Sequence, residues 1–345
     1  MREAMSKGNN ASNIVILGAG SIGCYLGGCL LAGNPELSSS LTFIGRERLQ
    51  NDISKNGLTL TDWQGRDVFV NSAVVNFSVT NDALASADFI LLCVKSQDTQ
   101  EAATLIQAHA NPSAMIVSFQ NGVTNGDVLA KTLSQKVIKG MVPFNVFYEG
   151  KGHFHCGTEG NLAIEDKEGI CGSLLEKFNK ALLHVTVYDD ITAVQYGKLI
   201  MNLNNAVNAL SGIPLKQQLG NRAYRLVMAK VLKEALHVFK AHGITVARTG
   251  KVIPKLMPTI MVLPNTLFQI VAASTLKIDP QARSSMYEDL ALGRRTEIDF
   301  LNGEIERLGR LSGISTPVNS KIVALVKDAE RKKKGSPMLL PAQLM

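Results

Sequence analysis

A glycine-rich turn near the start of the chain constrains the fold more than any other feature of the sequence. Residues 18–23 match the pattern G-x-G-x-x-G, directly after the apolar run Ile14–Leu17 and at the start of a helical pattern over residues 21–31. Gly18 permits a tight turn, Gly20 lets a phosphate approach the backbone, and Gly23 lets the helix pack on the sheet. The N–H groups that open the helix attract phosphate. The residues predicted to bind a dinucleotide here are Gly18, Ala19, Gly20, Ser21, Ile22 and Gly23. A purely structural glycine turn is the alternative, and the strand–turn–helix context favours binding.

The end of the second predicted strand bears on which dinucleotide is bound. The run Leu41–Ile44 is followed by Gly45 and Arg46. Enzymes that use NAD usually place an acidic residue here, whereas an Arg accommodates the 2′-phosphate of NADP. Arg46 therefore predicts NADP (NADPH) as the cofactor. Glu47 follows directly and weakens this argument, and a solvated surface Arg is the alternative.

The first half of the chain alternates short apolar runs with helical patterns. The predicted strands are Ile14–Leu17, Leu41–Ile44, 58–60, 68–70, 89–94 and 115–119. Continuous apolar runs are typical of strands that a parallel sheet buries on both faces. A helical pattern over 98–110 lies between the last two strands, and such alternation favours right-handed crossovers in a doubly wound sheet. The third and fourth runs flank residues 63–65 and are predicted to form a hairpin.

From about Asp189 onward the strand-like runs end and long helical patterns follow, over 191–210, 223–241 and 297–311. The predicted fold class is α/β, with an N-terminal Rossmann-type domain that binds NADP over residues 1–188. An all-α domain over 189–334 is predicted to carry the substrate and catalytic groups. Residues 1–12 are expected to be disordered, and residues 335–345 to form a tail.

The composition narrows the class of protein further. The 345 residues are 46% hydrophobic and 19% charged, which excludes a wholly disordered chain. The apolar runs are of strand length, so no membrane span is predicted, and no secretory signal is expected at the polar N-terminus. The net charge is +7, only the run 331–334 is densely basic, and aromatic residues do not alternate with basic ones. Small anions are therefore favoured over nucleic acid as partners. Five scattered Cys residues indicate a reducing compartment, the cytoplasm.

Two further predicted strands end in polar residues at one edge of the sheet. Lys95 follows the run 89–94, and Asn121, within Gln120-Asn121-Gly122, follows the run 115–119. Ligands of open α/β sheets bind outside the carboxyl ends of the strands, so both residues are candidates for cofactor binding. A Lys whose ammonium reaches solvent and a turn Asn before Gly are the structural alternatives.

One predicted helix of the second domain combines a Lys with several Asn residues. Lys198, Asn202 and Asn205 are spaced i, i+4 and i+7, which places them on one helix face. Asn204 and Asn208 lie nearby, and four Asn in seven residues run against the low helix propensity of Asn. We predict that Lys198 acts as the acid and that Asn amides hold the substrate. Amides that satisfy buried loops are the alternative.

Two Ser residues and a Glu form a third polar group. Ser284 and Ser285 precede Met286, and Glu297 follows Thr296 at the predicted start of helix 297–311. Thr296 with Asp299 is close to a capping box, and a carboxylate at the first residue of a helix is stabilised there. Capping alone would therefore explain Glu297.

The stretch His153-Phe154-His155-Cys156 is the nearest approach to a metal motif. Metal sites need about four protein ligands, or three and a water, and no second His/Cys cluster is apparent. We therefore predict no metal and interpret the two His as alternating residues on a strand at a sheet edge.

Taken in order, these motifs resemble those of the ketopantoate reductase family over roughly residues 13–330. The resemblance is carried by residues 18–23, Cys93-Val94-Lys95, Gln120-Asn121-Gly122, Lys198-Leu199-Ile200-Met201-Asn202, Ser284-Ser285-Met286, Arg295-Thr296-Glu297-Ile298-Asp299 and Asn302-Gly303. The glycine turn is generic to dinucleotide folds, and the last blocks are more specific. The resemblance implies an NADP-dependent oxidoreductase acting on a CH–OH group, which reduces 2-dehydropantoate to (R)-pantoate for pantothenate and coenzyme A synthesis.

The resemblance also implies roles for individual residues. It implies catalysis by Lys198 and Glu297, substrate binding by Lys198, Asn202, Asn205 and Ser285, and cofactor binding by Arg46, Lys95, Asn121 and Glu297. Lys198 would donate the proton, Lys95 and Asn121 would flank the nicotinamide, and Arg46 would contact the 2′-phosphate. The chain departs from the family where a second substrate Asn is expected eight residues after the Lys. It has Ala206 there, and Asn205 is the nearest candidate.

Two other functions fit the same architecture. One is another NAD(P)-dependent 2-keto acid or β-hydroxyacid oxidoreductase. β-Hydroxyacid dehydrogenases also use a Lys with an Asn four residues on, and the block 284–297 argues against them. A non-catalytic NADP-binding regulator is the second alternative, against which the presence of both Lys198 and Glu297 argues. The predicted partner is a small 2-keto acid. A homodimer is compatible with the sequence, which does not determine the oligomeric state.

Overall fold

The computed structural model describes residues 12–248, 252–273 and 281–345, and the chain divides into two compact units after Ile191. The expectation of disorder over 1–12 therefore falls almost wholly outside the described residues. The strands are β1 (Ile14–Leu17), β2 (Leu41–Ile44), β3 (Leu58–Asp62), β4 (Asp67–Val70), β5 (Asn76–Ser78), β6 (Phe89–Leu92), β7 (Met115–Ser118), β8 (Lys136–Met141), β9 (Val146–Gly150), β10 (His153–Cys156), β11 (Leu162–Glu165) and β12 (Val185–Tyr188). The α-helices of this first unit are α1 (Ser21–Gly33), α2 (Glu47–Asn56), α3 (Thr99–His109), α4 (Asn125–Thr132) and α5 (Gly172–Lys180).

The main sheet of the first unit has eight strands in the order β12-β11-β8-β7-β6-β1-β2-β5. β1 lies parallel to both β2 and β6, and β6 is parallel to β7. β8 pairs in parallel with β7, whereas β11 runs antiparallel to β8. Because β1, β2, β6 and β7 are parallel, their carboxyl ends lie along one edge of the sheet. The predicted Rossmann-type sheet is confirmed.

The central strand β1 explains why the strands read as unbroken apolar runs. Ile14 and Ile16 belong to a core shared with α1, whereas Val15 and Leu17 belong to a second core shared with α3. Successive side chains of a strand point to opposite faces, so a strand covered on both faces needs apolar residues at every position. Each such side chain contributes about 1.5–3 kcal/mol when fully buried.

A second, four-stranded sheet in the order β4-β3-β10-β9 completes the first unit. β3 and β4 pair antiparallel, which confirms the predicted hairpin around residues 63–65. The strand β10, which carries His153 and His155, lies between β3 and β9. The expected edge position of these two His is therefore wrong, because β10 has a partner on each side.

All regular elements described in the second unit are helical, as predicted. The α-helices are α6 (Thr192–Asn202), α7 (Asn204–Ser211), α8 (Leu215–Gly220), α9 (Arg222–Ala241), α10 (Met257–Met261), α11 (Asn265–Ala272), α12 (Ser285–Ala291), α13 (Asn302–Ser312) and α14 (Pro317–Lys332). Within the described ranges, no helix combines the length and the apolar character that crossing a membrane requires.

Two of the predicted long helices are each divided in the structure. The pattern over 191–210 forms α6 and α7, separated at Leu203, which keeps right-handed angles. The pattern over 297–311 forms a short 3-10 turn, Ile298–Phe300, and then α13. Leu301 separates them with φ −109° and ψ −96°, angles that no α-helix contains. An α-helix starting at Glu297 is therefore a wrong prediction.

The predicted tail folds back onto the helical unit. The Leu339 N–H donates to the Leu210 carbonyl at 2.8 Å, and the Tyr224 hydroxyl donates to the Leu339 carbonyl at 2.8 Å. Leu344 is fully buried. The last residues thus contact the end of α7 and the start of α9.

Candidate active site

The glycine-rich turn joins β1 to α1 and is anchored to the end of β2. The N–H groups of Gly18 and Ala19 donate to the Ile44 carbonyl at 3.1 and 2.9 Å. Gly18 has φ +97°, and a Cβ there would lie 2.6 Å from the Val94 nitrogen. A Cβ on Gly23 would lie 2.5 Å from the Gly18 carbonyl oxygen. Packing alone therefore requires glycine at positions 18 and 23.

Gly20 differs, because a Cβ at this position would meet no atom within 4 Å. Gly20 is the N-cap of α1, whose first turn contains no acidic residue. The first N–H groups of a helix lack partners within the helix and carry partial positive charge. Open space in front of such donors fits the phosphates of a dinucleotide, and packing does not explain this glycine.

Arg46 stands at the end of β2, close to the glycine turn. A Cβ on the preceding Gly45 would lie 2.8 Å from the Cβ of Ala19, so the two segments approach closely. Arg46 is exposed and is the N-cap residue of α2. Its guanidinium forms no ion pair with any residue described here. An exposed Arg at this edge has the charge and reach to contact a phosphate monoester.

Lys95 and Asn121 follow β6 and β7 at the same edge. Lys95 is partly buried and precedes a 3-10 turn over Ser96–Asp98, while Asn121 is exposed. The two loops are joined directly, because the Ser96 hydroxyl donates to the Asn121 carbonyl at 2.8 Å. Thr99 and Asn125, buried at the starts of α3 and α4, extend this contact and were not singled out from the sequence.

Lys198 lies on α6 among buried residues and is itself only partly exposed. Burial lowers the pKa of its ammonium from the usual value of 10.5 to about 8, because desolvation penalises the charged form. The ammonium form therefore still predominates at neutral pH, and it can lose its proton more readily than an ordinary Lys.

The four Asn residues near Lys198 divide into two groups. Asn208 is fully buried, donates to the Ile213 carbonyl and to Gln218 Oε1, and accepts from the Ser284 N–H. Asn204 accepts from Gln218 Nε2 at 2.7 Å. These two amides satisfy the protein's own loops, as the alternative interpretation holds. Asn202 is buried at the end of α6, and Asn205 is partly exposed on α7.

Ser284 connects α7 to α12 and thereby places Ser285. The Ser284 hydroxyl accepts from the Tyr287 N–H as the N-cap of α12 and donates to the Asn205 carbonyl at 3.0 Å. Ser285 follows as the first residue of the helix, with its side chain exposed. Asn205 and Ser285 are thus brought to neighbouring positions by contacts between their elements.

Glu297 is 8% exposed and precedes the 3-10 turn. The capping interactions here are made by other residues. The Thr296 N–H donates to Glu330 Oε1 at 2.6 Å, and the Ile298 N–H donates to the Thr296 hydroxyl at 3.2 Å. The explanation of Glu297 as the first residue of an α-helix therefore fails, since no α-helix begins there.

The predicted site residues lie in both units. The first unit holds residues 18–23, Arg46, Lys95 and Asn121, and the second holds Lys198, Asn202, Asn205, Ser285 and Glu297. In the ranges that the structure describes, no three His, Cys, Asp or Glu residues are grouped to hold a metal. His153 and His155 both form hydrogen bonds with the Thr61 hydroxyl, at 2.8 Å each.

A Rossmann-type sheet with an open glycine turn, followed by a helical unit with a desolvated Lys, is the architecture of dinucleotide-dependent oxidoreductases. Comparison with known proteins narrows this class. The family model described as "Ketopantoate reductase PanE/ApbA" matches residues 14–169, and the model of its C-terminal part matches residues 190–330. The chain belongs to the ketopantoate reductase family.

Individual relatives agree with this assignment. The 2-dehydropantoate 2-reductase of Pyrococcus horikoshii is 28% identical over 335 residues, which cover 94% of this chain and 99% of the relative. The crystal structure of a PanE/ApbA family ketopantoate reductase from Ralstonia eutropha is 32% identical with a TM-score of 0.78, covering 93% of this chain and 99% of that one. A D-mandelate dehydrogenase solved with NADH and anilino(oxo)acetate has a TM-score of 0.74 at 21% identity, covering 93% and 99%, and is similar in fold.

Proposed function

We propose that this protein catalyses the NADPH-dependent reduction of 2-dehydropantoate to (R)-pantoate, a step of pantothenate and coenzyme A synthesis, in the cytoplasm. The observation that carries the proposal is Lys198, a desolvated ammonium with a pKa of about 8 on the same helix as Asn202. Curated relatives over nearly the whole chain are named 2-dehydropantoate 2-reductases. A small-molecule substrate suits this arrangement.

The first unit supplies the binding groups for the cofactor. When bound, NADPH supplies a hydride. The N–H groups at the start of α1, with the open space at Gly20, would hold its pyrophosphate. Arg46 would contact the 2′-phosphate, and Lys95 and Asn121 would contact the nicotinamide end. The exposed Arg46 favours NADPH over NADH because only NADPH carries that phosphate.

Lys198 supplies the proton and the electrostatic stabilisation. Addition of hydride to the ketone carbon turns the carbonyl oxygen into an alkoxide. The Lys198 ammonium stabilises this negative charge and then donates a proton from Nζ to the oxygen. A pKa near 8 suits the task, since an acid works best when its pKa lies close to the working pH.

The polar residues around Lys198 would bind the substrate. The Asn202 and Asn205 amides and the Ser285 hydroxyl can donate hydrogen bonds to the carboxylate of a 2-keto acid. The Glu297 carboxylate can accept one from the substrate hydroxyl, or fix the Lys198 ammonium, and it would also approach the cofactor. Asn204 and Asn208 are not assigned to the substrate, since their amides are committed to the loops of the protein.

A second candidate function is the reduction of another 2-keto acid. Two observations favour it: the fold similarity to a D-mandelate dehydrogenase, and Ala206 at the position where the family pattern leads us to expect a substrate Asn. Replacing an amide by a methyl group at a substrate pocket would favour a different side chain on the keto acid. The chemistry of Lys198 would be the same for both substrates.

Substitution of Lys198 tests the proposed mechanism. Lys198→Ala is expected to lower kcat by about 10²–10⁴-fold, because both the proton donor and the positive charge are lost. NADPH binding should persist, since the glycine turn belongs to the other unit. Lys233→Ala removes an exposed Lys of α9 and serves as the matched control. Near-normal turnover of Lys198→Ala would show that another group is the acid.

A further inference from the structure

A buried hydrogen-bond network connects the loops that follow β6 and β7. Its members are Ser96, Thr99, Ser118, Gln120 and Asn125, and all five are buried. Polar groups buried in this way are costly unless they are hydrogen-bonded, and a fully paired network rigidifies the surrounding backbone. The network lies at the edge of the sheet where Lys95 and Asn121 stand.

The side chains of the network are connected through the Thr99 hydroxyl. The Ser118 hydroxyl donates to Gln120 Oε1 at 3.0 Å, and Gln120 Nε2 donates to the Thr99 hydroxyl oxygen at 2.8 Å. The Thr99 hydroxyl in turn lies 2.9 Å from Asn125 Oδ1 and 2.8 Å from the Ser96 carbonyl oxygen, and it can donate its one proton to either. Thr99 is therefore both an acceptor and a donor in the middle of the network.

The network ends on the backbone carbonyl of Asn121. Asn125 Nδ2 donates to this oxygen at 2.5 Å and to the Ser96 hydroxyl at 3.1 Å, and the Ser96 hydroxyl donates to the same carbonyl at 2.8 Å. Two donors fix the peptide plane between Asn121 and Gly122, where the chain turns with φ +82° at Gly122. Ser96 directly follows Lys95, so both loops are held by the same contacts.

We propose that Thr99 and Asn125 are positioning residues, which hold Asn121 and Lys95 in the geometry that binds the nicotinamide end of the cofactor. The inference rests on the proposed function, because Asn121 and Lys95 are assigned to the nicotinamide there. Neither Thr99 nor Asn125 needs to touch the cofactor. Loss of the Thr99 hydroxyl removes a hydrogen-bond partner of Gln120 Nε2 and of Asn125 Oδ1, and loss of the Asn125 amide removes a donor to the Asn121 carbonyl, which keeps its bond from the Ser96 hydroxyl.

Binding of two nucleotides separates positioning from general stability. NADPH reaches both ends of the proposed site, whereas 2′-phospho-ADP-ribose lacks the nicotinamide and contacts only the glycine turn and Arg46. Asn125→Ala and Thr99→Val are expected to raise the Kd for NADPH about tenfold and to leave the Kd for 2′-phospho-ADP-ribose unchanged. Thr99→Ser keeps the hydroxyl and should bind both nucleotides like the wild type.

Asn34→Ala is the matched control for Asn125→Ala. Asn34 is equally buried in the same unit and donates to two carbonyls, of Leu30 and Lys177, but it lies at the opposite end of α1 from the glycine turn. The control should lose stability and bind both nucleotides normally. Equal losses of affinity for both nucleotides, or no loss for either, would overturn the inference. If Asn125→Ala does not fold, the comparison of Thr99→Val with Thr99→Ser tests the inference in its place. A wild type that binds neither nucleotide would overturn the proposed function, and with it this inference.

Discussion

Arg46 is the residue on which the choice between NADPH and NADH depends in the proposed site. A charge-assisted contact with the 2′-phosphate is worth about 1.5–3 kcal/mol. Arg46→Ala should therefore raise KM for NADPH about tenfold or more and barely change KM for NADH. Arg48→Ala, which removes another exposed Arg of α2, is the control and should leave both constants unchanged. Equal losses for the two cofactors would remove Arg46 from the phosphate site.

The lowered pKa of Lys198 predicts how the activity depends on pH. The proton donor is the ammonium, which is present below its pKa of about 8 and is lost as the pH rises through that value. We expect kcat/KM to fall about tenfold per pH unit above this point. Lys198→Arg keeps the positive charge at all accessible pH values. Any residual kcat/KM of this variant should therefore not fall above pH 8. A wild-type profile that stays flat well above pH 8 would contradict the assignment.

Substitution of Glu297 shows whether its carboxylate acts in the active site or only stabilises the fold. Glu297→Gln keeps the size of the side chain and removes its charge, so we expect turnover or substrate affinity to fall at least about tenfold with little change in Tm. Glu330→Gln is the control, because the Glu330 carboxylate binds the neighbouring Thr296 N–H. That variant should lower Tm and keep its kinetics. A lower Tm with unchanged kinetics for Glu297→Gln would make Glu297 structural.

At the scale of elements, α7 and α12 are joined through Asn208 and Ser284. Asn208→Ala removes the acceptor of the Ser284 N–H and two donors, so the free energy of unfolding should fall by about 1–3 kcal/mol. Asn202→Ala, at a buried position of α6, should instead raise KM for the keto acid. Chemical denaturation and steady-state kinetics of both variants check this division. A lower free energy of unfolding for Asn202→Ala, together with a raised KM for Asn208→Ala, would contradict it.

The six strands β1, β2, β3, β4, β6 and β7 were predicted from their apolar runs, whereas β5, β8, β9, β11 and β12 were not. β1 and β2 begin and end at the residues that the sequence indicates, because a strand buried on both faces leaves an unbroken apolar run. β6 ends at Leu92, two residues before the end of the predicted run 89–94. The strand order and the position of β10 inside its sheet depend on pairings between residues far apart in the sequence, and a local sequence pattern does not predict such pairings.

The hydrogen bonds around the site were less predictable, because their partners lie far apart along the chain. The Thr296 N–H is bound by Glu330, 34 residues away, and Asn204 by Gln218. The motifs located Lys198 and the glycine turn, but not the network through Thr99 and Asn125, whose residues are unremarkable until their neighbours are known.

At the scale of the whole molecule, the chain is two units that divide the proposed roles. In the proposed function, the first unit would bind the dinucleotide at the parallel strands of its sheet, and the second would carry the acid and the substrate groups on helices. The last residues belong to the second unit, since Leu344 is buried and Leu339 bonds the end of α7. The segment 335–345 is short and has no periodic apolar pattern, so its packing was not predicted from the sequence.

The proposed activity is measured most directly as the oxidation of NADPH with a panel of 2-keto acids. The wild type is assayed with 2-dehydropantoate, pyruvate and phenylglyoxylate, each with NADPH and with NADH. We expect the highest kcat/KM for 2-dehydropantoate with NADPH, and loss of that activity in Lys198→Ala. Preference for phenylglyoxylate with NADH, or no oxidation with any of the three acids, would contradict it.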